Sequence, residues 1–123
     1  MSTDRADLGC LTLHAERMEV DRVWINIDRL LRNLERAGGR ATVFVHPFSA
    51  IEAGVDLGPR IQNLLGRGHE IAQHTHYYAP RAPGATTKPV DRMDPENVVR
   101  CLDRDLRYLR EAGVDSRGYV AGG

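Results

Sequence analysis

Three of the five histidines fall within residues 68–78, and two of them are spaced for joint chemistry. His74 and His76 stand at the end of a predicted strand, residues 70–73. Because alternate residues of an extended chain point to the same side, both imidazoles can reach the same point. A pair of this kind is suited to binding a divalent metal ion or to moving a proton.

Imidazole and carboxylate groups also follow the two preceding predicted strands. His14 follows the apolar run of residues 8–13, and Glu16 lies two residues beyond it. His46 follows the β-branched and aromatic run Ala41–Val45. Because the carboxyl ends of parallel strands meet at one edge of a sheet, we expect these groups to face the same edge as the histidine pair.

Histidine with carboxylate is a ligand set typical of zinc and other first-row divalent ions. Two histidines and one acid leave a coordination position open for water. A metal at such a site activates water and polarises a carbonyl group. The residues therefore indicate metal-dependent hydrolysis of an amide or ester.

Single residues of this group have plainer interpretations. A lone histidine at a strand end is more often a hydrogen-bonded loop residue than a ligand, so the argument depends on the set. His69 begins its strand on the opposite edge and is expected to be structural or exposed. Tyr77 and Tyr78 are either core or rim aromatics, although a tyrosine hydroxyl near a metal can also donate a hydrogen bond to an oxyanion. Trp24 is expected to pack in the core.

Strand and helix patterns alternate along the chain. Strands are predicted at residues 8–13, 41–45 and 70–73 and from residue 118 onward. Apolar residues at helical spacing predict three main helices: from Asp21 to the glycines at 38 and 39, over residues 58–65, and from Asp94 to near Gly113. The third helix has a predicted core face of Val98, Val99, Leu102, Leu106 and Leu109. Loops are expected through Ser49 to Gly54 and over residues 79–88. This order predicts an α/β fold with a mostly parallel sheet.

The composition is that of a globular chain with one domain. Its 123 residues can enclose a single core, and 41% hydrophobic residues argue against disorder. Lysine plus arginine equals aspartate plus glutamate at 17 each, so net charge gives no reason to expect nucleic acid or a membrane as partner. No apolar segment approaches a membrane span, and a cytoplasmic location is expected. Cys10 and Cys101 are expected to be buried, reduced thiols.

The order of several motifs resembles the first half of a polysaccharide deacetylase domain of the NodB type. Gly68-His69-Glu70-Ile71, followed by His74-Thr75, is similar to its Gly-His-Glu-Ile segment and to the start of its His-Ser/Thr-x-x-His metal motif. Residues 11–16 match its acidic motif, and residues 41–45 match its Ala-Thr-Phe-Phe-Val strand. Residues 106–113 and 118–121 match the helix and the strand that follow. The resemblance implies an irregular (β/α) barrel, a divalent metal, usually zinc, held by an acid and two histidines, and removal of acetyl groups from carbohydrate.

Several positions depart from the family's motifs. His14 occupies the position of the aspartate that serves as general base in the family. A histidine can also accept a proton near neutral pH. Glu16 matches the metal-binding acid. Tyr78 occupies the position of the family's second metal-binding histidine, and His76 is expected to take over the role of that histidine. Val120 stands at the arginine that usually orients the base.

The chain is also shorter than the family's domains. The fold expected for residues 1–123 is one α/β domain, a partial (β/α) barrel of the polysaccharide deacetylase type, incomplete at its carboxyl end. Half a barrel has an open sheet edge, so the chain is expected to be either a fragment of a longer protein or a shortened relative that closes its sheet by forming a homo-oligomer.

The residues and the resemblance together predict a metal-dependent hydrolase that removes an acetyl group from an amide or ester of a carbohydrate or related metabolite. The expected metal ligands are Glu16, His74 and His76, with zinc as the expected ion. The expected catalytic residues are His14 and Tyr78, and the expected substrate contacts are His46 and Tyr77. One alternative is an inactive deacetylase-like module that binds or regulates, and another is a different metallohydrolase on a related barrel.

Overall fold

A parallel sheet of four strands with four helices makes up the described residues, 10–77 and 94–122, of the computed structural model. The strands are β1 (Leu11–Ala15), β2 (Ala41–Val45), β3 (Glu70–Thr75) and β4 (Tyr119–Ala121). The helices are α1 (Asp21–Arg36), α2 (Pro47–Ala53), α3 (Gly58–Gly66) and α4 (Pro95–Glu111). The strands lie side by side in chain order and every neighbouring pair is parallel, which confirms the predicted α/β class and corresponds to half a (β/α) barrel.

The two faces of the sheet have different surroundings. Val43 and Val45 point toward the helices and are fully buried. On the other face, His14 pairs in register with Phe44, and Phe44 with Ala72. Residues paired in this way point to the same side of a parallel sheet. We call this second side the inner face, defined by Thr12, His14, Thr42, Phe44, Ala72 and His74.

The core lies between the sheet and the helices. Leu31 of α1, Ile61 and Leu64 of α3, and Leu109 of α4 are fully buried there. Burial of an aliphatic side chain of this size contributes about 1.5–3 kcal/mol, so packing on the sheet holds the helices in place. Within the described residues, no helix has the length and apolar character needed to cross a bilayer.

Proline and capping residues set the helix starts. The Asp94 side chain accepts the Glu96 backbone N–H at 3.0 Å, and Pro95 is the first residue of α4, as predicted. Helix α2 occupies a segment that was expected to be a loop: it begins at Pro47 and ends at Gly54, whose φ of 68° is left-handed. Its seven residues are too few to show a helical repeat. The three predicted main helices are present as α1, α3 and α4, and the prediction of a loop from Ser49 to Gly54 is wrong.

The core face of helix α4 is only partly the predicted one. Leu109 is fully buried, as predicted, but Val99 is 52% exposed, and Cys101 and Asp105 are buried as well. The reason lies in β3, which presents polar side chains to this helix. The Gln73 amide, for example, donates a hydrogen bond to the carbonyl of Leu102 at 3.0 Å.

Strand β1 lies further along the chain than the predicted run of residues 8–13. All of its residues, Leu11–Ala15, pair with β2, so His14 lies within the strand and not after it. Cys10 precedes the paired residues and is exposed, so the prediction of a buried thiol is wrong there. The prediction of a buried side chain is confirmed for Cys101.

His69 joins β2 to α1 at the edge of the sheet away from the other histidines. Its Nδ1 accepts the backbone N–H of Ala41 at 3.1 Å, so the proton lies on Nε2, which donates to Glu35 at 2.7 Å. Arg67 donates to the same carboxylate at 2.8 Å. His69 is 3% exposed, which agrees with the expected structural role and excludes the exposed alternative.

Candidate metal centre

Three ligand atoms converge at the carboxyl edge of the sheet. Oε1 of Glu16 lies 3.0 Å from Nε2 of His74 and 3.0 Å from Nε2 of His76, and the two nitrogens are 3.1 Å apart. The ligand atoms of a tetrahedral zinc ion, with bonds of about 2.0–2.1 Å, are about 3.3–3.4 Å apart. The chemistry and spacing of this set, which we call the triad, therefore fit a divalent ion.

A strained turn brings Glu16 to the histidines. Glu16 opens the turn after β1, and Arg17 has a φ of 57°, in the left-handed region that residues other than glycine rarely adopt. Arg60 of α3 donates a hydrogen bond to the carbonyl of Met18 at 2.7 Å, and the Met18 side chain is fully buried. These contacts pin the turn to the body of the protein.

His74 is oriented so that Nε2 faces the acid. Its Nδ1 lies 3.2 Å from the carbonyl oxygen of Val120, which can only accept, so Nδ1 carries a hydrogen. Nε2 is then the nitrogen that meets Oε1 of Glu16, and either a proton on Nε2 or a metal ion can join the two atoms. A carbonyl partner on the far nitrogen is also what metal-binding histidines usually have.

Glu16 is held in its ionised form. Hydrogen bonding from His74 lowers the pKa of the Glu16 carboxyl, and His76 acts in the same direction, while partial burial opposes them. The carboxylate is about half exposed, at 51%, so it remains accessible from the solvent. An ionised, accessible carboxylate is the form that binds a metal.

Backbone contacts fix the position of His76. Gly122 packs so closely against the imidazole that a methyl group there would overlap the ring atoms. The Gly122 N–H donates to the carbonyl of Thr75 at 2.7 Å, and an Arg104 nitrogen donates to the carbonyl of His76 at 3.4 Å. The second ligand histidine is thereby held from both sides, although it follows the last residue of β3.

His46 lies beside the triad as a neutral, buried imidazole. It is 7% exposed, and its ring centroid is 4.5 Å from that of His76 and 5.7 Å from that of His74. Burial lowers the pKa of His46 to about 4, and the neighbouring positive charge of His76 and His74 adds to this effect. Its Nε2 is buried and has no hydrogen-bond partner among the described residues. This nitrogen is thus free to contact a bound molecule.

His14 lies on the inner face next to His74. Their ring centroids are 5.0 Å apart, and the His14 ring meets Phe44 edge-on at 5.7 Å. The side chain is exposed. Neither of its nitrogens is hydrogen-bonded within residues 10–77 and 94–122. The fold therefore brings His14 to the site without an orienting partner in that part of the chain.

Of the two tyrosines expected at the site, Tyr77 lies among the described residues. The hydroxyl of Tyr77 is hydrogen-bonded to that of Tyr119, and burial together with this contact raises the pKa of Tyr119. Tyr77 does not line the cleft beside the triad. Tyr78 lies outside the described residues.

A cleft of about 550 Å³ opens beside the triad. Its lining is formed by Glu16, Arg17, Glu19, Val20, His46, Phe48, Ser49, Glu52, Ala53 and His76. The residues from 48 to 53 were not expected here, since they belong to α2, the helix that the sequence pattern did not reveal. A proline following a strand-end histidine, with a glycine seven residues later, is the signal from which this helix was predictable.

Comparison of the chain with models of protein families, with curated proteins and with solved structures finds no match. The function is therefore argued from the geometry of the site.

Proposed function

We propose that this chain is a metal-dependent hydrolase of the deacetylase type, which removes an acetyl group from an amide or ester of a carbohydrate or related metabolite. The observation that carries the proposal is the triad, in which one carboxylate oxygen and two imidazole nitrogens lie within 3.1 Å of one another. The adjoining cleft of about 550 Å³ is of the size that small-molecule sites have. The resemblance to NodB-type deacetylases, on the motifs quoted above, supports the same activity.

Glu16, His74 and His76 would hold the ion. When bound, a divalent metal supplies a Lewis acid that polarises the acetyl carbonyl and lowers the pKa of water. The carbonyl of Val120 keeps His74 in the tautomer that offers Nε2 as a ligand. The carboxylate of Glu16 supplies negative charge, which offsets part of the charge of the ion.

The remaining groups would handle the proton and the substrate. His14 accepts the proton of the attacking water, whose oxygen joins the acetyl carbon as the bond to nitrogen or oxygen breaks. The amine or alcohol leaves with a proton, and acetate is released. His46 contacts the substrate through its unpartnered Nε2. Tyr77 is proposed as a contact at the rim, and Tyr78 as a hydrogen-bond donor to the oxyanion.

Acetate release from an N-acetylglucosamine oligomer and from 4-nitrophenyl acetate tests this proposal. Zinc-loaded wild type should release acetate, and the double variant His74→Ala/His76→Ala should not. His14→Asn should retain the metal and lose a factor of about 10²–10⁴ in kcat, the usual contribution of a general base. Glu70→Gln is a matched control, because Glu70 hydrogen-bonds Thr42 at the opposite end of β3.

A catalytically inactive binding or regulatory module is the second candidate, and a specific observation favours it. His14 has no hydrogen bond that would orient it within the described residues, whereas a catalytic histidine is normally oriented by one. In addition, Val120 offers no charge where the related family has an arginine. A zinc-loaded protein that releases no acetate from either substrate would establish this alternative against the hydrolase.

The cytoplasm is the proposed compartment. Within the described residues neither Cys10 nor Cys101 forms a disulfide, as is usual where the environment is reducing. In the described sheet β1 and β4 are the edge strands, and either is a proposed contact for a second copy of the chain.

A further inference from the structure

Asp105 is a buried carboxylate directly behind the strand end that carries the two triad histidines. It belongs to α4, and its side chain is fully buried, at 0% exposure. Its neighbour on β3 is Thr75, which lies between His74 and His76 in the chain and points to the opposite side of the strand. The carboxylate and the metal centre thus lie on the two sides of the same short segment.

Stability alone gives little reason for a carboxylate at this position. Burial raises the pKa of Asp105, and hydrogen bonding from Arg104 and from the Thr75 hydroxyl only opposes that rise. Apolar side chains of similar volume can often replace a buried ion pair with no loss of stability. The contacts that the carboxylate makes are therefore more informative than its charge.

One set of contacts runs through Arg104. Its Nε donates to Oδ1 of Asp105 at 2.8 Å, and another nitrogen of the same guanidinium donates to the carbonyl of His76 at 3.4 Å. The guanidinium also stacks over the ring of Phe48, 4.6 Å from its centroid. The carboxylate thus fixes an arginine that in turn holds the backbone of a ligand histidine.

The strand end is also held to α4 through Gln73. Its amide donates to the Thr75 hydroxyl oxygen at 2.9 Å and to the carbonyl of Leu102 at 3.0 Å. Thr75 is itself fully buried, so these bonds hold the segment between the two histidines against the helix that carries Asp105.

We propose that Asp105 is a positioning residue of the metal centre, which holds the backbone of His76 through Arg104 so that the Nε2 atoms of the ligand histidines converge with Glu16. This inference rests on the metal site of the proposed function. Ligand sets must be held to within about 0.5 Å, and the supporting residues provide that precision.

Three measurements on each variant test the proposal. They are the Zn²⁺ affinity, obtained by competition with a chromophoric chelator, the visible absorption of the Co²⁺-loaded protein, and thermal unfolding. Asp105→Leu removes the carboxylate that fixes Arg104 and should weaken Zn²⁺ binding by about tenfold or more, the usual loss for a supporting residue, and alter the Co²⁺ spectrum. Asp105→Asn should bind Zn²⁺ nearly as tightly as wild type, since the amide keeps an oxygen at Oδ1 and its nitrogen takes the place of Oδ2, which has no partner among the described residues. Arg104→Met, which removes the guanidinium that donates to the His76 carbonyl, carries the same test if Asp105→Leu does not fold.

Asp103→Asn is the matched control, because Asp103 is an exposed aspartate on the same helix. It should leave both metals bound as in wild type. Folded Asp105→Leu or Arg104→Met protein that binds Zn²⁺ as tightly as wild type, with an unchanged Co²⁺ spectrum, would overturn the positioning role while leaving the proposed function intact. Wild type that binds neither metal would overturn the metal site and this inference together.

Discussion

Nε2 of His74 and Oε1 of Glu16 lie 3.0 Å apart, although 58 positions separate the two residues in the chain. The contact joins the end of β1 to the end of β3. Nδ1 of His74 donates to the carbonyl of Val120, so Nε2 is the nitrogen that meets the carboxylate. A proton or a metal ion can join these two atoms, and the metal proposal rests on the third ligand atom, Nε2 of His76, which lies 3.0 Å from the same oxygen.

Removal of the acid should abolish tight metal binding. Glu16→Gln keeps the shape of the side chain but loses the negative ligand. Changes to supporting residues already cost roughly 10–100-fold in metal affinity, so loss of a direct ligand should exceed that range. Chelator competition with Zn²⁺ measures the effect. Glu19→Gln is the control, since Glu19 lines the same cleft but bonds Ser49 at 3.0 Å, and equal losses in the two variants would contradict the assignment.

A methyl group at Gly122 should displace His76. The added carbon would overlap the imidazole, so Gly122→Ala should shift the ring and weaken Zn²⁺ binding by about tenfold or more. Gly66→Ala is the control, because nothing lies within 4 Å of the added carbon and the position is helical. That substitution should leave metal affinity unchanged and raise the free energy of unfolding by about 0.5–1 kcal/mol. Wild-type Zn²⁺ affinity in Gly122→Ala would show that the position of His76 is not critical.

The buried imidazole of His46 should make stability depend on pH. Its pKa is about 4 in the folded protein against an ordinary value of 6.5, so the folded state binds the proton more weakly than the unfolded chain does. Neutral His46 therefore makes its full contribution to the free energy of unfolding above pH 6.5, and this contribution is lost as the pH falls from 6.5 toward 4. Urea unfolding of metal-free protein at several pH values measures it. The difference in unfolding free energy between wild type and His46→Gln should shrink across this window, and a constant difference would contradict the shift.

His69 should matter for stability and not for metal. His69→Phe leaves the Ala41 N–H without its acceptor and Glu35 without one of its donors, which should cost roughly 1–3 kcal/mol of unfolding free energy. Chemical denaturation gives the stability, and Zn²⁺ affinity measured on the folded variant should equal that of wild type. A large loss of affinity would mean that the two edges of the sheet are coupled.

The sequence pattern predicted the location of those candidate site residues that lie at or just after the end of a strand. Parallel pairing accounts for the predicted approach of Glu16, His74 and His76, because side-by-side strands in chain order bring their carboxyl ends together. The turn at Arg17 and the packing of Gly122 against His76, which the sequence did not reveal, complete the convergence. His14 and His46 reach the same place for the same reason.

Contacts between elements that are distant in the sequence were not predictable in this way. Asp105 has the polar character expected of a solvent-facing helix position, and its burial depends on Gln73 and Thr75, which turn polar side chains toward α4. Val99, an apolar residue, is exposed in consequence. Helix α2 was not predicted because seven residues are too few for a periodic signal. The contribution of Phe48 to the lining of the cleft was therefore not predicted either.

Metal content after dialysis against Zn²⁺ tests the central claim most directly. Elemental analysis of the wild type should give about one zinc per chain, as one triad predicts, and His74→Ala/His76→Ala should give none above the buffer. His69→Phe serves as the control for loss of a histidine outside the triad and should retain the metal. Equal zinc in the wild type and in the double variant would contradict the account.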